Sequence, residues 1–219
     1  MDKLIGMLDS PFVRRSAISL HCLGIPFEHL SISVFRTFTE FQRFNPVVKA
    51  PSLVLESGEV LMDSTLIIEY AEARAGGERS LMPRDQAGFR QALQVIGLSL
   101  AACEKGAQTI YERNLRPAEK QHGPWLERVG TQLLAACSQL ETILRQDHRR
   151  PVTGALSQAD ITAAVAWKFI QDMAGDVVPA AAHPALAAFS EQAERLPEFM
   201  AYPPDGPGVS PDEAPVERD

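Results

Sequence analysis

"KLIGMLDSPFVRRSAISLHCLGIPFEHL", Lys3 to Leu30, is the stretch whose reading decides the fold. Its start, Lys3 to Leu8, is a short apolar-rich run that reads as a strand. Ser10-Pro11 then opens a helix, because Ser is a favoured N-cap and Pro suits the first helical position, whose N–H has no intrahelical partner. Val13, Ala17 and Leu20 recur at i, i+4 and i+7, which predicts a helix from Pro11 to about Leu23. Gly24 ends it, and a second strand begins near Phe27. Strand, helix and strand within about 30 residues is the signature of a parallel βαβ unit. One detail resists that simple reading. Arg14 and Arg15 follow the helix start, although a helix N-terminus already carries partial positive charge. Val13 also stands where a capping box would place Glu or Gln. Either the long Arg side chains reach solvent or face the second domain, or the positive helix end is kept for an anion.

Further along, Thr39 to Phe44 reads as a short helix or turn. Ser52 to Leu55 and Val60 to Met62 read as two short strands, with the composition of a tight hairpin turn in "ESGE" between them. Ser64 is placed to cap a helix running to about Ala73. The order is β-α-β followed by β-β-α, and it fills residues 1–76. A Gly- and charge-rich break at 77–85 reads as a linker. Beyond it strand signals vanish, and residues 86–202 read as an all-helical domain. Its expected helices are Gln86–Arg113, weakened by Gly88, Gly97 and Gly106; Trp125–Arg145; Ala159 to about Met173; and Pro184 to about Arg195. Leu126, Val129, Leu133, Ala136 and Leu140 form an apolar stripe on the second. Residues 203–219 hold five prolines and a net charge of −4, and read as a disordered acidic tail. Its removal is expected to leave stability and activity nearly unchanged.

A chain of 219 residues that is 45% hydrophobic can bury one large core or two small ones. Its net charge of −7 argues against nucleic-acid binding. Cys22, Cys103 and Cys137 are odd in number, widely spaced and without a C-x-x-C pair, which argues against both a disulfide framework and a zinc site. His21, His29, His122, His148 and His183 show no ligand spacing, so no metal is expected. No segment has the length of a membrane span and no signal-type run opens the chain, so a cytoplasmic protein is expected.

Three features of the first half would converge if its strands form one sheet. Ser10 lies at a strand-to-helix turn, where open α/β sheets bind ligands. Ala50-Pro51 stands just before a strand, and a Pro there, unable to give a ladder N–H, often follows a cis bond. The preceding residue would then offer its N–H and C=O to a bound peptide backbone. Asp63-Ser64 opens another helix and could hold a carboxylate. Two helix ends and one strand edge suit a short, extended, acidic peptide. A thiol at Ser10 would be favoured as the thiolate, because helix N-termini lower a thiol pKa of ~8.5 by ~1 unit or more.

"SPFVRRSAISL", "NPVVKAP", "LMDSTLIIEYAE" and "GALSQADITAAVAW" together resemble the glutathione S-transferase superfamily, in its serine-type bacterial and plant tau-like branch, from Lys3 to about Met200. The resemblance implies a thioredoxin-like α/β domain followed by an all-α domain. It also implies glutathione as co-substrate, a small electrophile as acceptor, a role in detoxification and a two-fold homodimer. It places Ser10 as the catalytic residue that activates the thiolate. Phe12, Ala50, Pro51, Asp63 and Ser64 fall among the glutathione contacts, with Lys49 and Arg36 where relatives often meet the glycine carboxylate. Glu104, Tyr111 and Arg113 fall on the helix that faces the first domain in relatives. Ser157-Gln-Ala-Asp160, with Gly154 three residues before it, matches the family's buried-helix capping box and is read as structural. A zeta-type isomerase is the nearest rival enzyme, but "LDSPFVRR" lacks that group's Ser-Ser-Cys-Ser-like run. A thiol–disulfide reductase would want Cys at position 10. A non-catalytic glutathione-binding or regulatory protein on the same fold is the alternative from another class.

Overall fold

The computed structural model describes residues 1–146 and 156–208. Gly154, His148 and residues 209–219 of the expected tail lie outside the described residues. The chain divides into two compact units, one of Met1–Leu81 together with the segment from Pro197, the other of Met82–Leu196.

The first unit is built on a four-stranded sheet of β1 (Asp2–Ile5), β2 (Phe27–Leu30), β3 (Ser52–Val54) and β4 (Val60–Met62), in the order β2-β1-β3-β4. β1 and β2 run parallel, joined by α1 (Pro11–Cys22), while β3 and β4 are antiparallel to their neighbours. α2 (Phe38–Phe44) and α3 (Ser64–Ala75) complete the thioredoxin-like pattern. The hairpin turn closes through Leu55 N–H to Glu59 O and Gly58 N–H to Leu55 O, both 2.9 Å. Ile5, Ile32 and Phe41 form a buried cluster of this unit, with Val48, Ala50 and Val54 packed against it. Asp2 is buried at the start of the interior strand β1, where its carboxylate accepts the Glu56 N–H and pairs with Arg74.

β1 is shorter than the apolar run suggests. It stops at Ile5 because Gly6 turns the chain away with φ +137°. A Cβ built on Gly6 would lie 2.6 Å from Val13 Cγ2 and 3.1 Å from Ala50 Cβ. Only glycine lets the sheet end approach both the first helix and the loop before β3 this closely.

The two arginines are the main departure from the sequence reading. Neither reaches solvent: Arg14 is 2% exposed and Arg15 1%. The Arg14 Nε donates to the Tyr202 carbonyl at 2.8 Å, and its guanidinium lies 5.6 Å from the centroid of the buried Phe199 ring. α8 (Pro197–Met200) thus packs on α1 as part of the first unit. Tyr202 stacks on Phe27 and stands edge-on to His21. Gly206 packs against Leu8, and the turn from Pro203 to Gly208 is part of this wrap. Pro197 to Tyr202 therefore belong with the first unit, where the sequence reading put them in the helical half. The reason is tertiary: a buried guanidinium needs a carbonyl and a ring face, and this segment supplies both.

The second unit is all-helical: α4 (Gln86–Leu115), α5 (Gly123–Gln146), α6 (Gln158–Ala174) and α7 (Pro184–Glu194). α4 runs unbroken through its glycines, and at Gly106 the missing side chain is occupied by Phe169 of α6, 3.1 Å from where a Cβ would sit. Leu133, Cys137, Leu140, Trp167, Ile170 and Leu186 form the main core, which takes Leu133, Ala136 and Leu140 of the expected α5 stripe. Ser157 and Asp160 make the complete capping box at the start of α6. The buried Glu141 carboxylate of α5 accepts the Ala185 and Leu186 N–H groups of α7 and pairs with Arg145. Burial alone would raise its pKa, but these donors outweigh that and hold it below the ordinary range.

The docking of α8 yields a stability test. Phe199→Ala removes a fully buried ring from under Arg14, so it should cost about 3–4 kcal/mol and lower the urea midpoint of the first unit. An unchanged midpoint would mean that the segment contributes nothing to that unit.

Candidate functional site

The register of the sheet gathers the site. Ile5 pairs with Ser52, and Ser52 pairs with Met62, so these three residues form one row across β1, β3 and β4. The chain leaves that row at Gly6, enters it from Ala50-Pro51 and leaves it again at Asp63. The turn to Ser10, the Ala50-Pro51 step and the Asp63-Ser64 helix start therefore emerge at one end of the sheet. Three strands span about 10 Å at the usual ~4.8 Å spacing, which is the length of three extended residues.

Ser10 is the N-cap residue of α1, with φ −74° and ψ 121°. Its backbone N–H closes the turn onto Met7 O at 3.2 Å. Its half-exposed side chain makes no capping bond, and its hydroxyl has no partner among the described residues. Phe12, in the first turn of α1, is half-buried. The Ala50-Pro51 peptide bond is cis, and no hydrogen bond of the Ala50 backbone appears among the described residues.

Asn45 braces the loop before that bond. The Asn45 Nδ2 donates to Ser52 Oγ at 2.8 Å, Ser52 Oγ donates to Lys49 O at 2.7 Å, and Val47 N–H donates to Asn45 Oδ1 at 2.9 Å. Val48 and Asp63 are the non-glycine residues with positive φ, 51° and 75°, among the described residues, and they lie on either side of β3 and β4. Backbone in this region is retained where surrounding structure over-determines it, as at ligand sites.

Asp63, not Ser64, is the N-cap of α3, and its Oδ1 accepts the Thr65 N–H at 2.9 Å. Its Oδ2 lies 3.4 Å from Lys49 Nζ, with both side chains about half exposed, 44% and 50%. Ser64 is buried, and its Oγ accepts from Arg15 Nη1 at 2.9 Å; the same nitrogen reaches Thr65 Oγ1 at 3.3 Å. That leaves the Ser64 hydroxyl proton to be given elsewhere. Arg15 and Asn45 are the positioning residues that sequence reasoning missed. The signal for Arg15 was present, an Arg where the helix field disfavours one, but its partner lies 49 residues away. Arg36 is exposed, and its Nη2 lies 3.7 Å from Met7 Sδ, beside the turn to Ser10.

Burial and then Glu198 push the Cys22 thiol up to about 11, so it is not a thiolate at neutral pH. No group of three or more His, Cys, Asp or Glu that could hold a metal occurs among the described residues. No helix among them is long and apolar enough to cross a membrane. In the second unit, Glu104 bonds Lys105 and Gln108, Arg113 pairs with Asp176, and Tyr111 is exposed.

Residues 4–79 match the family described as glutathione S-transferase, N-terminal domain. An uncharacterised GST-like protein of Escherichia coli, YibF, is 30% identical over 165 residues, 75% of this chain and 81% of that protein. Glutathione S-transferase U4 of Arabidopsis thaliana is 27% identical over 117 residues, 48% of this chain and 52% of its own length, so that match spans about half of the plant protein. Among solved structures, a glutathione S-transferase from Methylobacterium radiotolerans in complex with glutathione sulfonate aligns with a TM-score of 0.82 at 26% identity. The alignment covers 92% of this chain and 93% of that one.

The close approach at Gly6 can be tested directly. Gly6→Ala should destabilise the first unit by about 2 kcal/mol or more, from the clash with Val13 and the positive φ together. Adding Val13→Ala should recover only the steric share, which a double-mutant denaturation cycle would resolve.

Proposed function

The chain belongs to the glutathione S-transferase superfamily, and from that premise we propose that it binds glutathione at the Ser10 end of the sheet and transfers its thiolate to small electrophilic molecules. One observation carries this reading: at one end of the sheet stand a Ser10 hydroxyl and an Ala50 backbone that have no hydrogen-bond partner among the described residues, together with the Asp63-Ser64 helix start. The solved relative that holds glutathione sulfonate supports the choice of ligand.

In this mechanism the peptide lies extended across the ends of the strands. The Ala50 N–H and C=O pair with the backbone of its cysteinyl residue. Pro51 fixes the direction of that pairing edge, and Phe12 flanks it. The γ-glutamyl ammonium takes the place of Lys49 on the Asp63 carboxylate, and the γ-glutamyl carboxylate receives the Ser64 hydroxyl proton. Lys49, released from Asp63, is then free for the glycine carboxylate, with Arg36 the second cation in reach. The ion pair between Lys49 and Asp63 is half exposed, so exchanging it for two ligand contacts costs little.

Ser10 donates its hydroxyl to the sulfur, and the helix end adds its field. Both stabilise the thiolate and aim it at the acceptor. This is activation of a bound nucleophile; no covalent bond to the protein forms. The compartment we assign is the reducing cytoplasm, consistent with three free cysteines. We also assign a two-fold homodimer, on the family premise and on exposed Phe35, Phe38, Leu66, Phe89 and Leu93.

Ser10→Ala should bind glutathione within a few-fold of wild type, raise the bound thiol's pKa and slow conjugation by ~10-fold or more, because one charge-directed donor is worth ~1.5–3 kcal/mol. Ser10→Cys should lose conjugation and gain disulfide exchange, since a Cys at a helix N-terminus is acidified. Conjugation rates against pH, with a disulfide-exchange assay, measure both. A Ser10→Ala variant that conjugates at the wild-type rate across that range would remove the hydroxyl from the mechanism. For the assembly, sedimentation at micromolar concentration should give twice the chain mass, and a monomer would exclude the dimer.

A further inference from the structure

The turn that delivers Ser10 carries a charge of its own. Asp9 directly precedes Ser10, is exposed, and has no salt bridge among the described residues. Adjacent Cα atoms lie ~3.8 Å apart, so a carboxyl here can lie no farther than about 10 Å from the Ser10 hydroxyl. Its charged surroundings can be named element by element. Arg36, after β2, lies against Met7 of the same turn and is the cation that acts on Asp9. His29 of β2 has its Nε2 2.8 Å from Gly6 O at the end of β1. Arg14 and Arg15 of α1 are directed to Tyr202 and to Ser64. Asp205 lies in the turn that packs on Leu8. Lys49 and Asp63 face each other beyond Ala50. Among the described residues Arg36 is the cation that offsets Asp9, and the helix end that would stabilise a thiolate also draws on this carboxylate. Partial desolvation pushes the Asp9 pKa above the ordinary range, against the pull of the Ser10 N–H and of Arg36.

We propose that Asp9 sets the pH dependence and the charge preference of this site: its carboxylate opposes thiolate formation at Ser10 and disfavours anionic electrophiles relative to neutral and cationic ones. The proposal rests on the reading of Ser10 as the thiolate's donor. Two anions at one helix end repel, so the second to form is disfavoured. The carboxyl ionises first, and the thiol then gives up its proton to water at a pH raised by about one unit, a tenfold lower thiolate fraction at a given pH. As pH falls through the Asp9 pKa, the opposition is relieved. Wild-type protein should therefore titrate as a coupled pair rather than in one step.

The test compares wild type with Asp9→Asn, Asp9→Ala and Asp9→Glu. Glutathione binding is measured by calorimetry, and the bound thiolate is titrated by its ultraviolet absorbance. Conjugation is followed against pH with a neutral, an anionic and a cationic electrophile. Asn and Ala should each lower the bound thiol's pKa by about one unit, raise the rate by up to tenfold on the acid side and leave the alkaline plateau unchanged. They should also raise the ratio of anionic to cationic turnover several-fold, while Glu restores the wild-type profile. A thiol pKa that stays put or rises in both neutral variants, with glutathione still bound, would overturn the role of Asp9 and leave the site reading intact. Absence of glutathione binding by wild type would overturn both.

Discussion

The pairing row Ile5–Ser52–Met62 is the constraint on which the first unit depends. It brings three chain segments from distant parts of the sequence to one end of the sheet. A shift of one residue in either ladder would turn every side chain of that strand to the other face. It would also carry Ala50 away from Gly6, where a Cβ would lie 3.1 Å from the Ala50 side chain. The register is pinned from both sides of β3: Asn45 holds Ser52 from the loop that enters it, and Asp63 takes the first turn of α3 as soon as the chain leaves β4.

Two buried guanidinium groups fasten this sheet end to its surroundings. Burying a cation costs several kcal/mol unless it is paired and hydrogen-bonded. Arg14 is held by a carbonyl and a ring from the C-terminal segment, and the Arg15 Nη1 by the hydroxyls at the start of α3. The first helix therefore fixes both a distant stretch of chain and the neighbouring helix end while leaving its own N-terminus open. Its cations are spent on structure, so the field at Ser10 comes from backbone dipoles. That distribution underlies the influence proposed for Asp9, the carboxylate that directly precedes Ser10.

The sequence by itself determined the order of elements and the helix punctuation. Ser10-Pro11, Gly24, the Glu56–Glu59 turn and the Ser157/Asp160 capping box act within a few residues of chain, so their meaning is local and legible. That Ser10, Ala50, Pro51, Asp63 and Ser64 stand at strand or helix boundaries was legible for the same reason. Which of Asp63 and Ser64 caps α3 was not legible, because both residue types are good caps and only the φ of 75° at Asp63 separates them.

Tertiary structure alone decided the fate of the two arginines, the allegiance of Pro197 to Gly208 and the bracing by Asn45. Local propensity reads Arg14 and Arg15 as charges bound for water. Their partners lie 188 and 49 residues away along the chain. The Pro-rich composition after Tyr202 reads as unstructured, yet the turn there packs on Leu8, a contact that no window of sequence contains. A charge is placed by the partner that solvates it. When that partner is remote in sequence, only the folded chain identifies it.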